Sequence, residues 1–101
     1  MSKDVYFVTG INRKGDLIAS KNRCWGYYFD LELAKKHVVD NVTDIAEANY
    51  YNYTVIELVD EGILPLETKE IQWFKYNVDI DKYEECEKPE WSYGVCNWSI
   101  G

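Results

Sequence analysis

Four cations, Arg13, Lys14, Lys21 and Arg23, lead directly into three aromatic residues, Trp25, Tyr27 and Tyr28. Guanidinium and ammonium groups form charge-assisted hydrogen bonds to phosphate, and ring faces stack on bases for about 1–3 kcal/mol each. A small anionic nucleotide site would use this composition. The competing reading is a solvated turn beside a strand whose rings face the core. Near the other end, Trp91, Tyr93 and Trp98 form a second aromatic group, with Asn97 and Ser99 as neutral hydrogen-bonding partners. A chain end this apolar either packs on the domain or forms an interface or pocket wall, because Trp and Tyr serve both uses. The candidate ligand-binding set is therefore Arg13, Lys14, Lys21 and Arg23 for phosphates. Trp25 and Tyr27, or Trp98, would stack on the base.

Other chemistries find less support. His37 is the one histidine, and a general base needs a positioned partner that no neighbouring motif supplies. No nucleophile motif surrounds Cys24 or Cys96. The cysteines at 24, 86 and 96 lack the paired spacing of a structural zinc site. The glycines are scattered and form no phosphate loop. The pairs Asp79 with Asp81 and Asp60 with Glu61 lack the calcium-loop pattern, so a solvated acidic face explains them better. The expectation is no catalytic residue, no metal and no cofactor.

The net charge is −7, and residues 57–90 hold all of it, with eleven acids against four lysines. Residues 1–56 balance at seven acids and seven bases, and residues 91–101 carry no charged side chain. A polyanion would meet the acidic half, and four basic residues are a small footprint for counterion release, so long nucleic acid is excluded as a partner. A small ligand can still be held locally. No apolar run approaches the ~20 residues that cross a membrane. The opening MSKDVYFV does not read as a signal peptide, and three cysteines then point to reduced thiols in the cytoplasm. Asn41-Val42-Thr43 matches a glycosylation acceptor by chance on that reading.

These residues need elements to position them. A chain of 101 residues, 47% hydrophobic and 16% aromatic, reads as one folded domain over 1–101. Asp4–Thr9 is β-rich and closes on Gly10, giving a first strand. Asn12–Gly15 reads as a turn, with Asp16–Ala19 pairing back as a short strand. Arg23–Phe29 is a further strand interrupted by Gly26. Asp30 is a good N-cap, and Leu31, Ala34, Val38, Val42 and Ile45 follow at steps of three and four. That spacing predicts one main helix over about 31–48, bending near Asn41 and resuming from Thr43 to Ala48. Tyr53–Val59 is the strongest strand. Glu70–Tyr76 follows, with Ile71 and Trp73 on one side and Phe74 and Tyr76 on the other. Tyr83–Glu87 reads as a charged edge strand, and Trp91–Ile100 as a last strand or a docked tail. The class is α+β, an antiparallel sheet of about 4–5 strands with the helix packed on one face.

Taken end to end, YFVTG, CWGYYFDLELAKKHVVDNVTDIAE, YTVIELVDEGI, EKPEW and GVCNWSIG resemble a group of short uncharacterised proteins of Gram-positive bacteria and their phages. In size, cytosolic character and lack of catalytic residues the chain is also similar in kind to phage counter-defence proteins. The resemblance implies a non-enzymatic protein in the host cytoplasm that sequesters a nucleotide immune signal, held across a homo-oligomer interface in one version. The alternative is an acidic inhibitor that offers the 57–90 half to a host defence protein as a nucleic-acid mimic.

Overall fold

The computed structural model describes residues 4–13, 21–61, 68–93 and 97–99. Five strands form one antiparallel sheet: β1 (Val5–Asn12), β2 (Lys21–Tyr28), β3 (Tyr53–Val59), β4 (Lys69–Asn77) and β5 (Lys82–Cys86). Their spatial order is β2-β1-β3-β4-β5, so β3, the most apolar, lies in the middle. One helix, α1 (Leu31–Val39), crosses one face, and single 3₁₀ turns occur at Val42–Asp44 and Glu90–Ser92. The α+β arrangement is the expected one.

The end of the first strand differs from the expected one. β1 does not close on Gly10 but runs to Asn12. Gly10 leaves room for the Trp25 indole, which approaches the strand closely at this point. A Cβ at Gly10 would sit 2.7 Å from Trp25 Nε1, and a glycine within a strand often marks such a close approach. The turn expected at Asn12–Gly15 and the short strand at Asp16–Ala19 lie largely or wholly outside the described residues.

α1 starts where the sequence puts it. The Asp30 carboxylate accepts the N–H groups of Glu32 at 3.0 Å and Leu33 at 3.3 Å, satisfying donors that the first turn leaves free. Lys36 in the last turn suits the negative end of the helix dipole. The expected resumption over 43–48 is absent. Thr43, Asp44, Glu47, Ala48 and Asn49 all have positive φ, and Asn41 itself is left-handed at φ 49°. The buried Asn41 side chain holds this reversal. It accepts the Ala46 N–H at 2.9 Å and donates to Asp44 at 3.1 Å and to Asp81 at 3.0 Å. Ile45 and Ala46 still reach the core. Up to Val39 the apolar spacing marked helix and burial alike; beyond Asn41 it marked the burial of Ile45 but not the backbone.

Side chains alternate across the sheet and build two cores. On the helix side Val8, Ile56, Phe74, Tyr76 and Tyr83 meet Ala34, Val38, Ile45 and Ala46. On the other side Ile11, Val55 and Trp73 are covered by Trp98 and Trp91. The three indoles meet edge to face, with centroids 5.7 Å apart for Trp73–Trp91 and Trp73–Trp98, and 6.0 Å for Trp91–Trp98. At its described residues the tail is therefore docked and forms no sixth strand. Glu57, fully buried, anchors it. Its carboxylate accepts the Trp98 and Ser99 backbone N–H groups, both at 2.9 Å, and the Thr68 hydroxyl at 2.6 Å.

Candidate functional site

A cleft of about 350 Å³ opens on the helix side of the sheet, between β2 and the end of α1. Trp25, Gly26 and Tyr28 form its strand wall. His37 and Val38 form the helix wall, and Thr43 and Ile45 from the reversed turn close it below. Two local features shape it. The first is a β-bulge: Val8 pairs with Gly26 and Thr9 with Cys24, leaving Trp25 as the extra residue. Its indole joins the helix-side core and meets Tyr51 edge on at 5.5 Å. The second is the Asn41 reversal, which turns the chain back under the helix end and brings Thr43 and Ile45 to the cleft.

The Tyr28 hydroxyl lies 2.8 Å from His37 Nδ1 across the cleft, with the two rings tilted at 70°. Burial pushes the Tyr28 phenol above its ordinary pKa, so it stays protonated at neutral pH. His37 is thus neither a bare surface group nor a core residue. Its partner is a phenol, not a carboxylate or thiol that would mark a nucleophile or charge relay.

The sequence-derived set divides between the two faces. Arg23 lies over the Trp25 ring at 4.6 Å and pairs with Glu47 at 3.7 Å, both side chains well exposed. Lys21, at the exposed start of β2, shares that face by strand alternation. Lys14 lies outside the described residues. Arg13 projects to the opposite face, 5.2 Å from the Trp91 ring centroid. Asn52 clasps its backbone, accepting the N–H at 2.9 Å and donating to the C=O at 2.6 Å. Tyr27 borders the cleft, but the residue is 60% exposed and its ring meets Phe7 at 6.2 Å and Phe29 at 5.7 Å. Trp98, 5% exposed, belongs to the second core. Arg23 and Trp25 therefore come together with Lys21 beside them, while Arg13 and Trp98 lie across the sheet and cannot reach the same guest.

Neither described cysteine is activated for nucleophilic work. Burial pushes the Cys86 thiol up against a smaller lowering by Lys75, and partial burial of its sulfur does the same to Cys24. Among the described residues no three His, Cys, Asp or Glu side chains gather as metal ligands. None of the described helices is long and apolar enough to cross a membrane. Two of the acids turn inward. Besides Glu57, Glu70 accepts the Trp73 indole N–H at 2.6 Å and Lys88 Nζ at 3.2 Å.

No family model, curated protein or solved structure matches this chain at a significant level. The cleft has to be read from its own chemistry. It offers ring faces, one imidazole–phenol pair and a cation stacked behind its Trp wall. Sequence reasoning named Trp25 and Arg23 but missed the Tyr28–His37 pair. His37 stands three residues after Ala34, one turn along the same helix face, and that spacing is the signal that could have found it.

Proposed function

We propose that this chain is a small non-enzymatic binding protein that takes the flat ring of a nucleotide-derived ligand between β2 and α1. On this reading it sequesters the ligand as a counter-defence protein of a phage or mobile element would. The observation that carries the reading is the aromatic cleft itself, whose volume of about 350 Å³ lies within the ~300–1,000 Å³ of small-molecule sites. A phosphate extending past Trp25 would meet Arg23. The Arg23–Glu47 pair is exposed on both sides and worth at most ~1 kcal/mol, so an anion can displace the carboxylate at little cost.

Calorimetry against nucleoside monophosphates, cyclic dinucleotides and cyclic ADP-ribose isomers tests the reading. Trp25→Ala should weaken whichever ligand binds by about 1–3 kcal/mol, the value of one stacked base. Arg23→Glu should weaken phosphorylated ligands and spare the free nucleoside. Silence from the whole panel would defeat the idea.

The acidic-inhibitor alternative rests on the exposed Glu84 and Glu85 of the edge strand β5, followed by exposed Glu87. Its support is thinner, because Lys75 lies directly across from Glu84 and Lys82 opens the same strand. Changing Glu84, Glu85 and Glu87 to lysine should abolish inhibition of a defence protein on that reading and leave nucleotide binding intact on ours.

A further inference from the structure

We propose that the floor of the cleft is a strained turn held from outside the cleft by the Asn41–Asp81 contact, and that this contact governs ligand affinity. The affinity part rests on the cleft being the ligand site. Residues 42–48 continue the apolar spacing of α1, and Ala46, Glu47 and Ala48 are good or fair helix formers. Their backbone does something else. Thr43 and Asp44 have φ 54°, Glu47 46°, Ala48 53° and Asn49 74°. In the left-handed region a Cβ crowds the carbonyl oxygen that follows, a cost that glycine escapes and that Asp and Asn soften. A β-branched residue such as Thr43 bears it worst. Backbone of this kind persists only where its surroundings over-determine it.

The node of the turn is Asn41. Its side chain holds the Ala46 N–H and the Asp44 carboxylate within the turn, and reaches Asp81 outside it at 3.0 Å. Asp81 lies between β4 and β5 and also accepts the Tyr76 hydroxyl. The turn is thus tied to the β4–β5 hairpin, while the cleft it floors lies at β2, the other edge of the sheet. Thr43 and Ile45 line the cleft, and Asn41 and Asp81 do not. Burial of Ile45 and Ala46 works with the clasp, whereas the Arg23–Glu47 tie is exposed and weak. Without the Asn41 side chain the turn relaxes toward the right-handed backbone its residues prefer, and Thr43 and Ile45 leave the cleft. A ligand that needs that floor then binds only the fraction of molecules that keep it. Asn41 and Asp81 are positioning residues.

Asn41→Gly in the full chain removes the clasp and tolerates the positive φ of residue 41. The first readout is amide exchange of Tyr51, a buried residue whose N–H is bonded to the Ala46 C=O at 3.0 Å and not to the side chain removed. Exchange there should quicken about tenfold or more, as loss of one net hydrogen bond requires, and by more than at Ile56 in β3. Ala48 is exposed, and Ala48→Gly takes away the Cβ that its φ penalises. Alone, it should slow Tyr51 exchange about threefold or more, and in Asn41→Gly it should recover most of the loss. At a right-handed position glycine would do the reverse. Calorimetry with adenosine monophosphate is the second readout: affinity should fall about tenfold in Asn41→Gly and return in the double variant. Unchanged Tyr51 exchange in Asn41→Gly, or faster exchange in Ala48→Gly, would overturn the clasp. Exchange as expected with equal nucleotide affinity in every variant would overturn its hold on the site. If adenosine monophosphate fails to bind even the wild type, the nucleotide reading and the affinity claim fall together, and the exchange results decide the clasp.

Discussion

Glu57→Gln tests the contact that fixes the tail over the second core. In the wild type Oε2 accepts the Thr68 hydroxyl and the Trp98 N–H, and Oε1 accepts the Ser99 N–H. A glutamine carbonyl can keep the first two partners, now as neutral bonds, each weaker by about 1 kcal/mol than a bond to a charged group. Its NH₂ then faces the Ser99 N–H, leaving a part-buried donor unpaired at about 1–3 kcal/mol. Burying an amide instead of a carboxylate recovers part of this. The net expectation is about 2–3 kcal/mol, a large share of the ~5–15 kcal/mol that holds a domain of this kind.

Urea unfolding followed by tryptophan emission measures the total. Amide hydrogen exchange measures the location, because protection of Trp98 and Ser99 should fall before that of Val55 or Ile56 in β3. Trp73, Trp91 and Trp98 form one cluster, so loosening the tail should also shift emission to the red. Thr68→Val removes only one of the three partners and should cost about 1 kcal/mol. If Glu57→Gln moves the unfolding free energy by less than about 0.5 kcal/mol and leaves Trp98 and Ser99 protected, the carboxylate does not anchor the tail.

Two further outcomes follow from the same contacts. Gly10→Ala places a Cβ 2.7 Å from Trp25 Nε1 and 3.2 Å from Tyr51 Cβ and Cγ. It should destabilise by about 1–3 kcal/mol as an overpacked core does and, by displacing the cleft wall, should weaken ligand binding in calorimetry. At high pH, the hydrogen bond to Asp81, then burial, then the charges of Asp81 and Asp44 push the Tyr76 phenol up to about 12 from 10.0. Burial pushes Tyr83 higher still. A phenol whose folded pKa is raised favours the folded state fully below the unfolded value, and that contribution is lost as pH rises through the folded value. Stability should therefore hold up to about pH 10 and fall toward pH 12, with tyrosinate absorbance from these two rings appearing late in an alkaline titration.

The strands and the start of α1 were legible because they rest on local information. Alternation marks β3 and the Phe74–Tyr76 side of β4, and Asp30 caps the helix with its own carboxylate. What was illegible depends on partners far along the chain. Val42 and Ile45 extend the helical spacing without a break, yet the helix ends because Asn41 is held by Asp81, forty residues away. Trp98 was visible as an aromatic side chain, but its destination is set by Glu57 and Trp73. The charge pattern misled in the same way, since Glu57 and Glu70 are spent inside the molecule and Arg13 is drawn to Trp91. A count of charges along the chain carries no record of which ones the fold turns inward.

The two bulges account for the most specific errors at the site. From Arg23 and Trp25, a strand with a strict period of two places Tyr27 on the same face and Tyr28 on the other. The extra residue between Cys24 and Gly26 reverses this. The Tyr28 ring comes to the helix side, where it meets His37, and the Tyr27 ring goes to Phe7 and Phe29. The shift between Ile56 and Glu57 does the same to β4. Ile71 packs with the helix-side core, while Trp73 stays with the tail. One inserted residue moves every later side chain of its strand to the opposite face. The bulge in β2 therefore decides which tyrosine reaches His37. A chain with that bulge removed would present Tyr27 to α1 and leave His37 without its partner, so the cleft's polar pair exists only because the ladder slips by one residue beside Trp25.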